Sequence, residues 1–148
     1  MVESWVYHSF DPIPARREKA RFNANEALRL QPDLPEGHLA LGFSYYYGDR
    51  DYERALVEFE IAKRGLPNDA QAYLAIGSIQ RRQGKWAEST ANLEKAAELD
   101  PKNTNILINL FFSYIAQRNF EAADKILDRC IAASPQSFQA RAMKGFME

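Results

Sequence analysis

The sequence contains few of the residues that build disulfide frameworks and metal centres. Its 148 residues include one cysteine, Cys130, and two histidines, His8 and His38, which lie far apart in the chain. A disulfide within the chain is therefore excluded, and we expect no bound metal. No glycine-rich loop is placed to hold a phosphate group, and no nucleophile is spaced with a base, so we expect neither a cofactor nor enzymatic activity.

The sequence also lacks a surplus of positive charge and a long apolar run. Lysine and arginine total 19, and aspartate and glutamate total 20, which gives a formal net charge of -1. Nucleic-acid-binding domains usually carry a basic surplus, so we expect no nucleic-acid partner. No stretch approaches the roughly 18 apolar residues of a membrane span. The first ten residues do not read as a signal peptide, and we expect a cytoplasmic protein with no membrane contact.

An internal repeat is the most informative feature of the sequence. Prolines, small residues and aromatic residues each recur at steps of 34 or 35 residues. We call each set of equivalent positions a column. The columns include Pro32, Pro67, Pro101 and Pro135; Ala20, Ala55, Ser89 and Ala123; Gly42, Gly77, Phe111 and Gly145; and Tyr52, Trp86 and Phe120. Several columns that share one period predict an array of repeated structural units.

Apolar residues recur with helical spacing inside each period, which predicts two helices joined by a short turn. First helices are expected near 36–47, 70–83 and 104–117, and second helices near 52–64, 86–98 and 120–133. A further helix is expected near 14–30, and another begins near 137. Gly65 is predicted to end its helix in the left-handed conformation, because Pro67 follows. The predicted fold class is all-α, without a sheet.

These columns resemble the tetratricopeptide repeat, whose pattern is W-x2-L-G-x2-Y, then A-x3-F, then P. The first full repeat has one extra residue in its turn, and its matching residues are His38, Leu41, Gly42, Tyr45, Ala55, Phe59 and Pro67. The resemblance implies a right-handed superhelical solenoid of antiparallel helix pairs, with residues 1–148 forming a single array. A partial repeat is expected at 1–34, full repeats at 35–68, 69–102 and 103–136, and a truncated repeat or capping helix at 137–148.

The pattern also predicts how the helices pack. Gly42 and Gly77 are expected where paired helices cross closely, and Phe59 is expected in the core. Cys130 is expected to be a small buried residue, and His38 a packed imidazole. The glutamates of the second helix, such as Glu58, are expected on a solvated helix face.

The resemblance further implies a binding surface, because first helices line the concave face in this family. The candidate partner-binding residues are Leu39, Phe43, Tyr46, Tyr47, Leu74, Ser78, Arg81, Arg82, Ile108, Asn109, Phe112 and Ile115. The four rings are expected to be surplus to the core and covered by something. Leu39, Leu74 and Ile108 have the alternative of packing only helix to helix. The lysine and asparagine clamp that some members use for a terminal carboxylate is not expected, because only Asn109 fits it.

Two functions compete on this basis. The first is a protein-protein interaction module that binds a partner protein or peptide through apolar anchors, with an acidic residue facing Arg81 or Arg82. The sequence also resembles repeat regions attached to bacterial signalling proteins, so we expect a fragment of a larger signalling protein. The second is a structural spacer or self-association segment, in which the same rings form a homodimer.

Overall fold

The structure, a computed structural model, describes residues 13–146, with side chains from Arg16 onward. The described helices are α1 (Ile13–Leu30), α2 (Pro35–Phe43), α3 (Tyr52–Gly65), α4 (Ala70–Arg82), α5 (Trp86–Leu99), α6 (Thr104–Ala116), α7 (Phe120–Ala133) and α8 (Phe138–Gly145). A π-helix, which we call the π segment, continues α2 over Ser44–Asp49. No strand occurs between residues 13 and 146, and the predicted all-α class is confirmed. The part of the predicted first repeat that precedes residue 13 lies outside the described residues.

The first helices of the later repeats begin where a polar residue follows the column proline by two positions. The side chain of Asp69 accepts a hydrogen bond from the backbone N–H of Gln71 at the start of α4. Asn103 and Ser137 cap α6 and α8 in the same way. Such caps satisfy backbone donors that have no partner within the helix. The repeating proline and cap therefore set the spacing at which new helices start.

The chain divides into two compact units. The first ends at Gly65 and contains α1, α2, the π segment and α3; the second begins at Leu66 and contains α4 to α8. In the first unit α2 packs against α1 and α3. In the second, α4 packs against α5, α5 against α6, α6 against α7, and α7 against α8. The predicted pairing of each first helix with the following second helix is observed, whereas the exact repeat boundaries stay a prediction.

Two column glycines allow close helix crossings, as predicted. A Cβ atom on Gly42 would lie 2.6 Å from Cε1 of Phe59, and one on Gly77 would lie 2.8 Å from Cγ of Leu93. Carbon atoms in contact lie about 3.5–4.0 Å apart, so only glycine fits at both positions. Phe59 is fully buried. The space left free by glycine in the first helix is thus filled by a large side chain of the second helix.

The prediction for Gly65 was wrong. Gly65 is the last residue of α3 and does not adopt positive φ; among the described glycines only Gly84 does, with φ 74°. A Cβ atom on Gly65 would lie 2.2 Å from Cγ of Pro35, so this glycine is required by close packing onto the start of α2. The left-handed conformation occurs instead in the turns inside each helix pair, at Gly84, Arg50 and Arg118.

The π segment accommodates the extra residue of the first full repeat. At the corresponding turns, Lys85 N–H donates to Gln80 C=O and Asn119 N–H to Tyr114 C=O, each across five residues. In the first full repeat Asp51 N–H donates to Tyr45 C=O across six residues, at 3.1 Å. A helix gains a π turn when one residue is added to it. The helix predicted near 36–47 therefore becomes a π-helix at Ser44 and does not form a loop there.

Glu58 is half-buried, which corrects its assignment to a solvated helix face. Its Oε2 atom lies 2.6 Å from Nδ1 of His38, and Nε2 of His38 lies 2.9 Å from the carbonyl oxygen of Pro32. Both ring nitrogens of His38 thus have an oxygen atom within hydrogen-bond distance. The packed imidazole predicted for His38 is thereby a polar link between α2 and α3.

The core of the second unit is made of small and branched residues from four consecutive helices. Leu93, Leu107, Leu127 and Cys130 are all fully buried there. Burial raises the pKa of the Cys130 thiol, which keeps it in the protonated form that packs as a small apolar group. The predicted role of Cys130 is confirmed.

Candidate partner-binding surfaces

The candidate residues form two groups, one in each unit. In the first unit, Leu39, Phe43, Tyr46 and Tyr47 follow one another along α2 and the π segment; we call them the ring surface. In the second unit, Ser78 and Arg81 of α4 meet Asn109 and Phe112 of α6; we call these four residues the arginine surface.

The three aromatic residues of the ring surface form a connected set of contacts. The Tyr47 ring stacks on Phe43, with centroids 6.0 Å apart and planes at 14°, and it meets Tyr46 edge-on at 4.7 Å. Offset-stacked and edge-to-face arrangements are the favourable ones for aromatic pairs. Tyr47 is nevertheless 60% exposed. The unit thus holds an exposed ring in a fixed orientation.

The expectation that all these rings are surplus to the core was wrong for two of them. Phe43 lies 5.0 Å from the ring of Phe59, and Tyr46 lies 5.5 Å from Tyr52 and 6.5 Å from Phe59. Both are half-buried by these contacts. Both rings contact Tyr47 and hold it in position. The direct contact of Phe43 and Tyr46 with a partner stays a prediction.

Residues that the sequence did not single out hold the π segment in place. Arg21 of α1 donates from Nε to Ser44 Oγ at 3.0 Å and pairs with Asp49. The guanidinium of Arg21 also lies 5.2 Å from the ring centroid of Tyr45, and that of Arg54 lies 4.9 Å from it. These cation–π and charged contacts join α1 and α3 to the segment. No sequence signal links Arg21 to residues more than 20 positions away.

Asn109 is the centre of the arginine surface. Its side-chain oxygen lies 3.4 Å from both Ser78 Oγ and Nη2 of Arg81, which donate to it. Its side-chain nitrogen donates to the carbonyl oxygen of Asn105 at 2.9 Å and to the Asn105 side-chain oxygen at 3.1 Å. All four contacts agree on one orientation of the amide. The carboxamide is therefore fixed before any partner arrives.

Arg81 and Phe112 complete this surface. The guanidinium carbon of Arg81 lies 5.8 Å from the centroid of the Phe112 ring, within cation–π range. Phe112 is 41% exposed. A cation, a carboxamide and an exposed ring therefore lie side by side, which suits a ligand with both an apolar and an acidic group.

The remaining candidates differ in accessibility. Leu74, Ile108 and Ile115 pack against the core of the second unit. For Leu74 and Ile108 this agrees with the helix-packing alternative. Ser78 is buried, and Arg82 is exposed and donates from Nη1 to the carbonyl oxygen of Ser78 at 3.2 Å.

Two general features of the described chain complete this description. No helix between residues 13 and 146 is long and apolar enough to cross a membrane. In the same part of the chain, no three histidine, cysteine, aspartate or glutamate side chains come together as a group that could hold a metal ion.

The comparisons with known proteins agree with this architecture. Residues 80–145 match the family model described as tetratricopeptide repeat. The chain thus contains tetratricopeptide repeats, which are typical of protein-interaction scaffolds rather than of enzymes.

Individual proteins that resemble this chain share a low sequence identity with it. The chain is 30% identical over 122 residues to the peroxisomal targeting signal receptor of Komagataella phaffii, a match that covers 82% of this chain and 20% of the receptor. The chain thus spans about a fifth of the length of these curated relatives. The crystal structure of MamA is similar with a TM-score of 0.77 and 19% identity, over 93% of this chain and 83% of MamA.

A second solved structure is the first tetratricopeptide-repeat domain of Spaghetti (RPAP3) bound to the HSP90 peptide SRMEEVD. It has a TM-score of 0.69 and 18% identity, and covers 76% of this chain and 91% of that domain. Both structural likenesses show the fold, and they confirm the predicted class, a tetratricopeptide-repeat solenoid.

Proposed function

We propose that this chain is a protein-interaction module that binds a segment of a partner protein on its first helices. The observation that carries the proposal is Tyr47, which is 60% exposed and yet held by the stacked ring of Phe43 and the edge of Tyr46. An ordered ring loses little conformational entropy on binding, and aromatic residues are frequent anchors of protein interfaces.

The arginine surface is a second candidate binding surface, within the second unit. Arg81 and the fixed carboxamide of Asn109 present donors beside the Phe112 ring. We propose that they receive an acidic side chain of the partner, next to an apolar side chain that covers Phe112. A charge-assisted hydrogen bond would provide selectivity and a salt-dependent association rate.

The relatives support binding of a protein segment in general terms. One of them is named a targeting signal receptor, and the RPAP3 domain was solved with a peptide. The present chain differs from a carboxylate clamp, because Asn109 is the only candidate residue that fits the lysine and asparagine pattern. We therefore propose that it reads internal side chains of its partner rather than a terminal carboxylate.

The wider setting of the chain is also a proposal. We propose that it works as part of a larger signalling protein, in agreement with the small share of its relatives that it spans. The cytoplasmic location and the absence of enzymatic activity expected from the sequence stay predictions. Self-association through the same rings is the alternative role.

Peptide selection on the purified chain tests the proposal. A random peptide library displayed on phage is selected on the wild-type chain, and each clone is then measured on the double variant Tyr47→Ser, Phe112→Ser. The matched control is Val57→Ser with Phe120→Ser, which removes two similarly exposed apolar side chains from second helices. We expect peptides with an apolar anchor and an acidic residue that lose at least about tenfold in affinity on the double variant only.

Two results would contradict it. Peptides that bind both variants as tightly as the wild type would place the binding surface elsewhere. A wild-type chain that selects no peptide, but forms a concentration-dependent dimer that the double variant abolishes, would establish the self-association role instead.

A further inference from the structure

A groove in the second unit lies on the side of α6 that faces away from the arginine surface. Two adjoining cavities of about 430 and 220 Å³ share Pro101 and Arg129 in their walls. The larger of the two volumes lies within the range of ligand pockets. The groove is flanked by α5 and α7, and α6 forms its floor. None of the candidate partner-binding residues lines it.

Helix geometry separates this groove from the arginine surface. Leu110 and Tyr114 of α6 line the groove, whereas Phe112 belongs to the arginine surface. Residues two positions apart on an α-helix point about 200° apart, so Phe112 projects away from both. A ligand in the groove would therefore leave Phe112 uncovered.

The floor of the groove is apolar and rigid. Leu110 and Ile126 meet there, and both are buried in the core of the second unit. Ala97, Ala132 and Ala133 add only small side chains to the walls. Small wall residues leave space for the side chains of a ligand rather than filling the groove themselves.

One end of the groove is acidic. Glu94 and Glu98 lie one turn apart on α5 and both line the larger cavity. The Tyr114 hydroxyl donates to Glu94, and burial together with this carboxylate raises the pKa of Tyr114, so the phenol stays protonated. Glu98 accepts from Lys95 at 3.0 Å on the exposed side. Each carboxylate has about four acceptor sites, so both keep the capacity to bind a cation.

The smaller cavity has basic residues and no carboxylate in its wall. Arg129 reaches from α7 to donate through Nη2 to the carbonyl oxygen of Ala97, at 3.3 Å, and so lies between the two cavities. A guanidinium has five N–H donors, and this contact uses one. Lys102 lines the smaller cavity beside it. The charge of the groove therefore changes sign along its length.

We propose that this groove is a second binding site, for an extended segment of a partner protein with a basic side chain at one end and a carboxylate at the other. The basic group pairs with Glu94 and Glu98, the carboxylate pairs with Arg129 and Lys102, and an apolar side chain between them rests on Leu110 and Ile126. Opposite charges at the two ends fix the direction in which the segment lies.

Two blocked peptides test this proposal on the full 148-residue chain. One has the sequence Arg-Ala-Leu-Ala-Glu and the other has it reversed, because the side chains do not fix the direction of the backbone. Binding is followed by the chemical shifts of backbone amides. We expect one peptide at millimolar concentration to shift signals of residues around Glu98, Leu110 and Arg129, and to leave those around Arg81, on the arginine surface, unchanged.

Charge reversal provides the control. Glu98→Lys should weaken binding by about tenfold, which corresponds to about 1.4 kcal/mol, and a peptide with glutamate in place of arginine should recover it. Glu88→Lys changes an exposed residue of the same helix outside the groove and should have no effect.

Three results would overturn the proposal. The first is that neither peptide shifts any signal in the groove. The second is that Glu98→Lys and Glu88→Lys lose the same amount of peptide affinity. The third is that the groove signals shift when the chain is concentrated without any peptide. The last would mean that the groove is filled by a second copy.

Discussion

The side-chain oxygens of Ser89 and Ser113 lie 3.1 Å apart in the core of the second unit, where both residues are fully buried. Ser89 Oγ also lies 2.8 Å from the carbonyl oxygen of Gly77, to which it donates. Since a hydroxyl has one hydrogen to give, Ser113 is the donor to Ser89. One short chain of hydrogen bonds thus joins α4, α5 and α6.

This arrangement predicts strong coupling between the two serines. Ser89→Ala leaves the Ser113 hydroxyl without its acceptor and should lower the free energy of unfolding by about 1–3 kcal/mol. The column already accepts alanine at Ala55 and Ala123. The double variant Ser89→Ala, Ser113→Ala should therefore lose clearly less than the sum of the single losses. Urea unfolding of the four chains measures the coupling, and simple additivity would contradict the hydrogen-bond chain.

Gly77 provides a test of the helix crossing. Gly77→Leu places a side chain where Leu93 and the carbonyl oxygen of Ser89 already lie, within 2.8 and 3.1 Å of the new Cβ. Overpacking of this kind should destabilise the second unit by roughly 1–3 kcal/mol. Gly145→Ala is the control, because nothing lies within 4 Å of its added Cβ. Equal melting temperatures for wild type and Gly77→Leu would show that the crossing is looser than described.

Tyr114 predicts a dependence of stability on alkaline pH. Burial, and then the hydrogen bond to Glu94, raises the pKa of this phenol in the folded chain. The folded state thus holds the proton more tightly than the unfolded state. Its stabilising effect is complete below the ordinary tyrosine pKa of about 10 and is lost as the pH rises above it.

The variant Tyr114→Phe has no such proton to lose. We expect the wild type to lose stability relative to Tyr114→Phe as the pH is raised from about 9 to 11. Urea unfolding at each pH gives the difference. Glu94→Gln removes the carboxylate and should reduce the effect. A difference between wild type and Tyr114→Phe that does not change with pH would show that the phenol is not perturbed.

The sequence was sufficient to predict the helix pairs because their signals are local. A proline, a capping residue two positions later and an apolar column recur together, as at Pro101 and Asn103. The close crossing at Gly77 was also predictable, since a glycine inside a helix is unfavourable and needs a packing reason.

Contacts between residues far apart in the chain were not predictable. Tyr46 was predicted to lie on an exposed surface because the prediction did not include the π segment. This segment directs the Tyr46 side chain towards Phe59 and Tyr52. Glu58 was assigned to solvent because nothing in its own helix shows that His38 lies 2.6 Å away. The groove at Arg129 likewise depends on three helices that only the fold brings together.

The turn closed by the hydrogen bond from Asp51 N–H to Tyr45 C=O has a consequence for how this chain tolerates changes in length. The added residue is absorbed within the turn, so Tyr52, Trp86 and Phe120 still follow one another at 34-residue steps. An insertion at this point leaves every later column in phase. The turn therefore accommodates a local change in sequence length without altering the periodicity on which the rest of the array depends.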